Sequence, residues 1–222
     1  AANDTLNASD VISMGAGTDT LNITFETAAA VAMPSASISG VEVFNIKNVS
    51  GQTLALDMAP ISGATTLNAN MSTDIVNITN IASGTTGAVT GNGVVTNGAS
   101  SFGYVAAATS STINIAGGVT AGAISVTGTG VLAETYTSTG AANTTGLITN
   151  AATTTAVTID ATTDLTATMT GTAVASLTVT GAGDVDLNGG TLDATIITIN
   201  ASGASGDVDL IVGNVATATD PG

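Results

Sequence analysis

Aspartate is the main chemistry-bearing residue in this sequence, and its spacing is not random. Asp10-Val11-Ile12 is answered nine residues later by Asp19-Thr20-Leu21, with Gly15-Ala16-Gly17 between them. The pattern is the nonapeptide G-G-x-G-x-D-x-apolar-x, with Met14 in the first glycine's place. Its chemistry is specific. The glycines permit tight turns with inward carbonyls, the aspartate adds a carboxylate, and the apolar residue drops into the core of a parallel β-roll. Calcium takes about six to eight hard oxygens, which carbonyls and carboxylates of successive turns can supply. The candidate metal ligands here are Asp4, Asp10, Gly15, Gly17 and Asp19. Asp4 and Asp10 are only six residues apart, so the turn between Asp10 and Asp19 alone has the expected spacing. The plainer reading is a β-turn with a solvated aspartate.

Two later pairs carry the same question. Asp184-Val185-Asp186 and Asp207-Val208-Asp209 each sit in the phrase Gly-Asp-Val-Asp-Leu. Alternation along a strand puts both carboxylates of a pair on one face. Such carboxylates repel unless solvent, protonation or a cation offsets them. Three readings follow: calcium held between stacked strands, a glycosidase pair about 5–9 Å apart in a sugar cleft, or a solvated acidic face.

The segment Asn3–Ala8, followed by Gly15–Asn22, resembles the repeats of calcium-binding, type-I-secreted RTX surface proteins. The similarity is closest to the surface-layer (S-layer) proteins of Gram-negative bacteria. The phrase Ile38–Ile46, Ile-Ser-Gly-Val-Glu-Val-Phe-Asn-Ile, also looks like their β-strand repeats. The sharp motif covers about the first 23 residues; beyond them the resemblance is one of composition and strand rhythm. It implies bound calcium, secretion to the cell surface and self-association.

Composition narrows the classes. The 222 residues include one basic side chain, Lys47, against sixteen acids, for a formal net charge of −15. A surface of that sign repels nucleic acid and anionic membrane and attracts divalent cations. With 8% charged residues and a mean hydropathy of +0.48, the chain is too apolar for a disordered tail. Thr, Val and Ile favour strands. The absence of Cys excludes disulfides and thiolate zinc. No His or Cys offers the usual base or thiol nucleophile, and no Trp offers a sugar platform. No apolar run is long enough to span a membrane as a helix.

The elements that must position the aspartates are short strands. Period-two alternation predicts strands over Thr20–Phe25, Val41–Ile46, Thr53–Met58, Thr66–Met71 and Ile75–Ile81. Further strands are expected at Thr112–Ile115, Ala123–Thr127, Leu132–Thr137, Ala156–Ile159, Leu165–Met169, Ser176–Thr180, Val185–Leu187, Ala194–Asn200 and Val208–Val212. Thr27–Met33 reads as a short helix or surface loop ended by Pro34. Gly84–Gly103 reads as a loop, a weak hairpin or a domain boundary, and Ser138–Thr154 as a second loose stretch. Phe102 and Tyr104 are expected to plug a core. The organisation expected is RTX-like turns over 1–23, a first β segment over 24–103 and a second over 104–222, with one continuous domain as the alternative.

Corresponding positions from Leu165 onward recur roughly eight to twelve residues apart, at Leu177, Val185, Ile197 and Leu210. Thr and Asn recur beside the apolar residues, as in ladders of stacked rungs. The fold expected is all-β, a parallel β-solenoid of short stacked strands, with a β-sandwich as the alternative. The function expected is a secreted structural protein of a bacterial surface layer, stabilised by Ca2+ and self-associating into sheets, with cell-surface polysaccharide a further candidate partner. The alternative is a filament-forming matrix protein or adhesin joined strand to strand; a polysaccharide-active enzyme comes last.

Overall fold

The computed structural model describes residues 10–27, 31–32 and 37–212. Asp4 lies outside them. The described residues are all strand, turn and coil, with no helix. Every paired strand runs parallel to its neighbour, and the chain winds as a β-solenoid of about eight turns.

Two long sheets face each other across the core. Sheet I contains Thr20–Phe25, Val43–Asn48, Thr66–Asn70, Thr86–Thr90, Ser110–Ala116, Ala133–Thr139, Ala156–Ala161, Ser176–Gly181 and Thr198–Ala204, in that order. Sheet II stacks Val31–Ala32, Leu54–Asp57, Val76–Ile81, Ser100–Tyr104, Ile124–Thr127, Asn143–Thr149, Leu165–Thr170, Val185–Leu192 and Val208–Val212. The chain visits the sheets alternately, so one turn of the solenoid uses one strand of each. Two short additions lie off these stacks. Val11–Ser13 pairs with Ser37–Ser39, and Thr120–Ala121 pairs with Thr144–Thr145.

Alternation decides which side chains enter the core. Val43–Asn48 has Phe44, Ile46 and Asn48 buried while Val43, Asn45 and Lys47 are half-buried on the outer face. The register then stacks like on like. Phe44 lies beside Leu67, Ile113 beside Tyr136, Tyr136 beside Ile159, and Ile159 beside Val179. Fully burying each of these apolar side chains contributes about 1.5–3 kcal/mol. Gly87 interrupts that column between Leu67 and Ile113. A Cβ at Gly87 would lie 2.7 Å from both Ile113 and the ring of Phe102. The missing side chain is the space that Phe102 fills from the opposite sheet. Phe102 and Tyr104 are both buried, as expected of core plugs.

The outer face of sheet I carries a polar ladder. Asn45 Nδ2 donates to Asn22 Oδ1 (2.9 Å), and Asn68 Nδ2 to Asn45 Oδ1 (3.0 Å). Thr90 Oγ1 donates to Asn68 Oδ1 at 3.0 Å, and Thr137 Oγ1 to Asn114 Oδ1 at 2.7 Å. These are the Thr and Asn ladders expected of stacked rungs. At the corners, asparagine turns inward. Asn143 is buried; its Oδ1 accepts the N–H groups of Gly118 (3.0 Å) and Val119 (2.9 Å), and its Nδ2 donates to Ser138 Oγ and Ala141 O. Asn48 is also buried, its Nδ2 reaching Gln52 O and Ile75 O, both at 2.8 Å. Each closes a bend whose backbone groups have no strand partner.

Several expectations require correction. Within Thr27–Met33, Val31–Ala32 is a strand paired with Leu54–Ala55, not helix or loop; residues 28–30 and 33 lie outside the described residues. Gly84–Gly103 is no loose loop, because Thr86–Thr90 and Ser100–Tyr104 continue both sheets. Three glycines there answer to close packing: a Cβ would lie 2.7 Å from its nearest neighbour at Gly87, 2.4 Å at Gly91 and 2.5 Å at Gly98. Ser138–Thr154 likewise contains Asn143–Thr149, paired with Leu165–Thr170. In sheet II, Ser100–Tyr104 pairs with Ile124–Thr127 on one side and with Val76–Ile81 on the other, where the register shifts between Phe102 and Tyr104. Near the end the predicted strand Ala194–Asn200 gives way to Thr198–Ala204, and Ile197 is 84% exposed on the corner.

Candidate functional site

The aspartate pairs fall on one edge of sheet II, where the chain enters successive strands. Asp184 N–H donates to Asp164 Oδ1 at 3.0 Å, and one turn later Asp207 N–H donates to Asp184 Oδ1 at 2.8 Å. The backbone repeats the step: Leu165 N–H reaches Asp184 O, and Val185 N–H reaches Asp207 O. The carboxylates of Asp164 and Asp184 therefore each hold the backbone of the turn stacked on them. Asp164, Asp184 and Asp207 are all exposed. Two residues on, Asp186 lies in register with Asp209, about 4.8 Å apart at strand spacing. Asn188 ties these two together, its N–H donating to Asp186 Oδ1 (2.9 Å) and its Nδ2 to Asp209 Oδ2 (2.8 Å). The expectation that each pair shares a face holds, since Val185 between Asp184 and Asp186 points into the core.

The Gly15–Gly17 turn lies at the other end of the solenoid. Gly15 and Gly17 are exposed and a Cβ at either would meet nothing within 4 Å. Gly17 adopts φ +134°, a conformation that favours glycine. Asp10 leads into the short strand Val11–Ser13, while Asp19 leads into Thr20–Phe25 of sheet I. The carboxylate joined to the Asp19 backbone is Glu42, 23 residues on, whose Oε2 accepts the Asp19 N–H at 2.9 Å. Asp19 O in turn accepts the N–H groups of Glu42 and Val43. Asp19 Oδ2 is shielded from solvent and has no hydrogen-bond partner.

The chemistry of these donors suits a hard cation, and the orphaned Asp19 oxygen is a group that such a cation would satisfy. Among the described residues, however, no three acidic side chains converge to hold a metal ion. A calcium ion at either end would need its remaining oxygens from backbone carbonyls, water or a second molecule.

A third polar group lies inside the solenoid, and the aspartate patterns do not point to it. Glu134 is 1% exposed. Its Oε2 accepts the Tyr136 hydroxyl at 2.5 Å, and its Oε1 accepts Ala151 N–H and Thr154 Oγ1–H, both at 2.7 Å. Burial raises its pKa, against the lowering influence of the bonds from Tyr136, Ala151 and Thr154. Burial and the nearby Glu134 together raise that of Tyr136. The sequence carries one sign of this arrangement: Glu134 and Tyr136 are two apart in a strand, so an inward Tyr136 places Glu134 inward as well.

Comparison with protein-family models, with curated proteins and with solved structures finds no match.

Proposed function

We propose that this chain is a secreted structural protein of the bacterial cell surface, built to self-associate, with calcium joining molecules that otherwise repel. One observation carries the reading. Among the described residues, the outermost strands Thr20–Phe25, Thr198–Ala204 and Val208–Val212 each pair on one side only. An unpaired strand is a template for another strand. Both ends bear acid, Asp19 and Glu42 at one and Asp207 and Asp209 at the other. In a molecule of net charge −15, end-to-end approach is opposed until a cation intervenes. The resemblance of the opening turns to RTX surface-layer repeats supports the same reading. The open edges also favour a second form of it, a filament or adhesin segment joined strand to strand.

Sedimentation velocity in millimolar calcium and in chelator tests the proposal. Large assemblies in calcium that dissociate in chelator are expected, with weaker assembly for the Asp186→Asn/Asp209→Asn double variant. Monomers under both conditions would refute it.

A further inference from the structure

The Tyr136 hydroxyl has one proton and two acceptors. Glu134 Oε2 lies 2.5 Å away and Asn150 Oδ1 3.0 Å away. Asn150 is 5% exposed, and its Nδ2 donates to Thr170 O at 2.8 Å, on the next turn of the solenoid. With Glu134 ionised, Tyr136 donates to the carboxylate, and Asn150 Oδ1 loses that donor. With Glu134 protonated at Oε2, the acid donates to Tyr136 Oη. The tyrosine proton is then free for Asn150, and the bonds from Ala151 and Thr154 to Oε1 persist.

No buried cation compensates the ionised form. Ser111, the register partner of Glu134 on the preceding turn, contributes only a hydroxyl whose oxygen is buried without a partner. Val157 is its register partner on the following turn. Asp160, on that same following strand, takes Thr180 Oγ1–H on its Oδ1 at 3.1 Å. The turn over 150–154 contributes Asn150, Ala151 and Thr154. From the facing sheet the titratable group is Tyr104, whose hydroxyl donates to Thr85 O at 3.1 Å. The single basic residue of the chain, Lys47, belongs to Val43–Asn48, several turns away.

We propose that Glu134 is a proton-operated staple: taking up a proton completes a hydrogen-bonded chain from Glu134 through Tyr136 and Asn150 to Thr170 and tightens the solenoid in mild acid. The sign follows from linkage. A carboxyl whose folded pKa is raised contributes stability that is full below its unfolded pKa, and that is lost as pH rises through the folded pKa. Glutamine at 134 keeps the shape and removes the titration.

Thermal unfolding of the wild type and of Glu134→Gln, from about pH 8 to about pH 5, is the test. The wild-type melting temperature is expected to rise by about 3 °C relative to the variant as pH falls. A difference that is constant with pH, or of opposite sign, overturns the proposal. If the variant does not fold, the wild type alone decides. The chain has two tyrosines and no tryptophan, so tyrosine emission reads Tyr104 and Tyr136 directly. A carboxyl-carbon NMR titration should show one glutamate with a midpoint above the ordinary ~4.3, with tyrosine emission changing in step. A midpoint at or below the ordinary value, or emission flat across the glutamate titration, overturns it.

Discussion

Asn143 and Asn45 are the same residue type with different work to do. Asn143 is buried and accepts two backbone N–H groups while its amide nitrogen closes a corner. Replacing it with alanine leaves Gly118 and Val119 N–H unsatisfied inside the molecule, and a loss of about 3 kcal/mol is expected in denaturant unfolding. Asn45 belongs to the outer ladder, where water replaces a lost partner. Asn45→Ala is expected to cost about 1 kcal/mol or less in the same assay. Glycines divide in the same way. Gly181 has φ +104°, and a Cβ there would lie 2.1 Å from Ala161 O, a backbone atom that cannot swing aside. Gly84 has φ +82° with nothing near its Cβ. Gly181→Ala should therefore destabilise well beyond the ~1 kcal/mol of left-handed strain expected for Gly84→Ala, as melting temperatures of the two variants will show. None of this was legible residue by residue in the sequence, where Asn and Gly recur throughout as turn formers. The distinction depends on which backbone is stacked above and below.

At the scale of elements, the strands with large apolar residues were readable from alternation alone, as Thr66–Asn70 and Val76–Ile81 illustrate. Leu67 and Ile78 are fully buried within their strands. Leu67→Ala should cost about 2–5 kcal/mol, measured by denaturant unfolding. Strands built from small residues escaped. Thr86–Thr90 reads Thr-Gly-Ala-Val-Thr and Asn143–Thr149 reads Asn-Thr-Thr-Gly-Leu-Ile-Thr, compositions that also suit loops. Over Gly87 the apolar weight comes from the facing sheet, where Phe102 fills the space, while Val89 and Ile148 are the single large core residues of their strands. Recurrence every eight to twelve residues is half a solenoid turn, because a turn holds one strand of each sheet. The full repeat is near 23 residues, as in the bonds from Asn68 to Asn45 and from Thr137 to Asn114, but it shortens to 20 between Asp164 and Asp184. That unevenness hides the repeat from a fixed-period reading. The paired aspartates were legible because their spacing within a strand is local. Their stacking on Asp164 and the bridging by Asn188 depend on register between turns, which local spacing does not reveal.

At the scale of the whole molecule, two parallel sheets stack turn upon turn; among the described residues their outermost strands pair on one side only, with acid at both ends. Stability in such a stack is the sum of turns and the interfaces between neighbouring turns, so anything that holds the outermost turns in place is expected to act on the whole. Calcium in millimolar amounts should raise the melting temperature, and chelator should lower it to the metal-free value. The role proposed for this solenoid is that of a structural unit that self-associates through calcium. Electron microscopy of the purified protein in millimolar calcium, and again in chelator, tests it most directly. Sheets or filaments in calcium that disperse in chelator are the predicted result. Dispersed single solenoids in both would contradict the account.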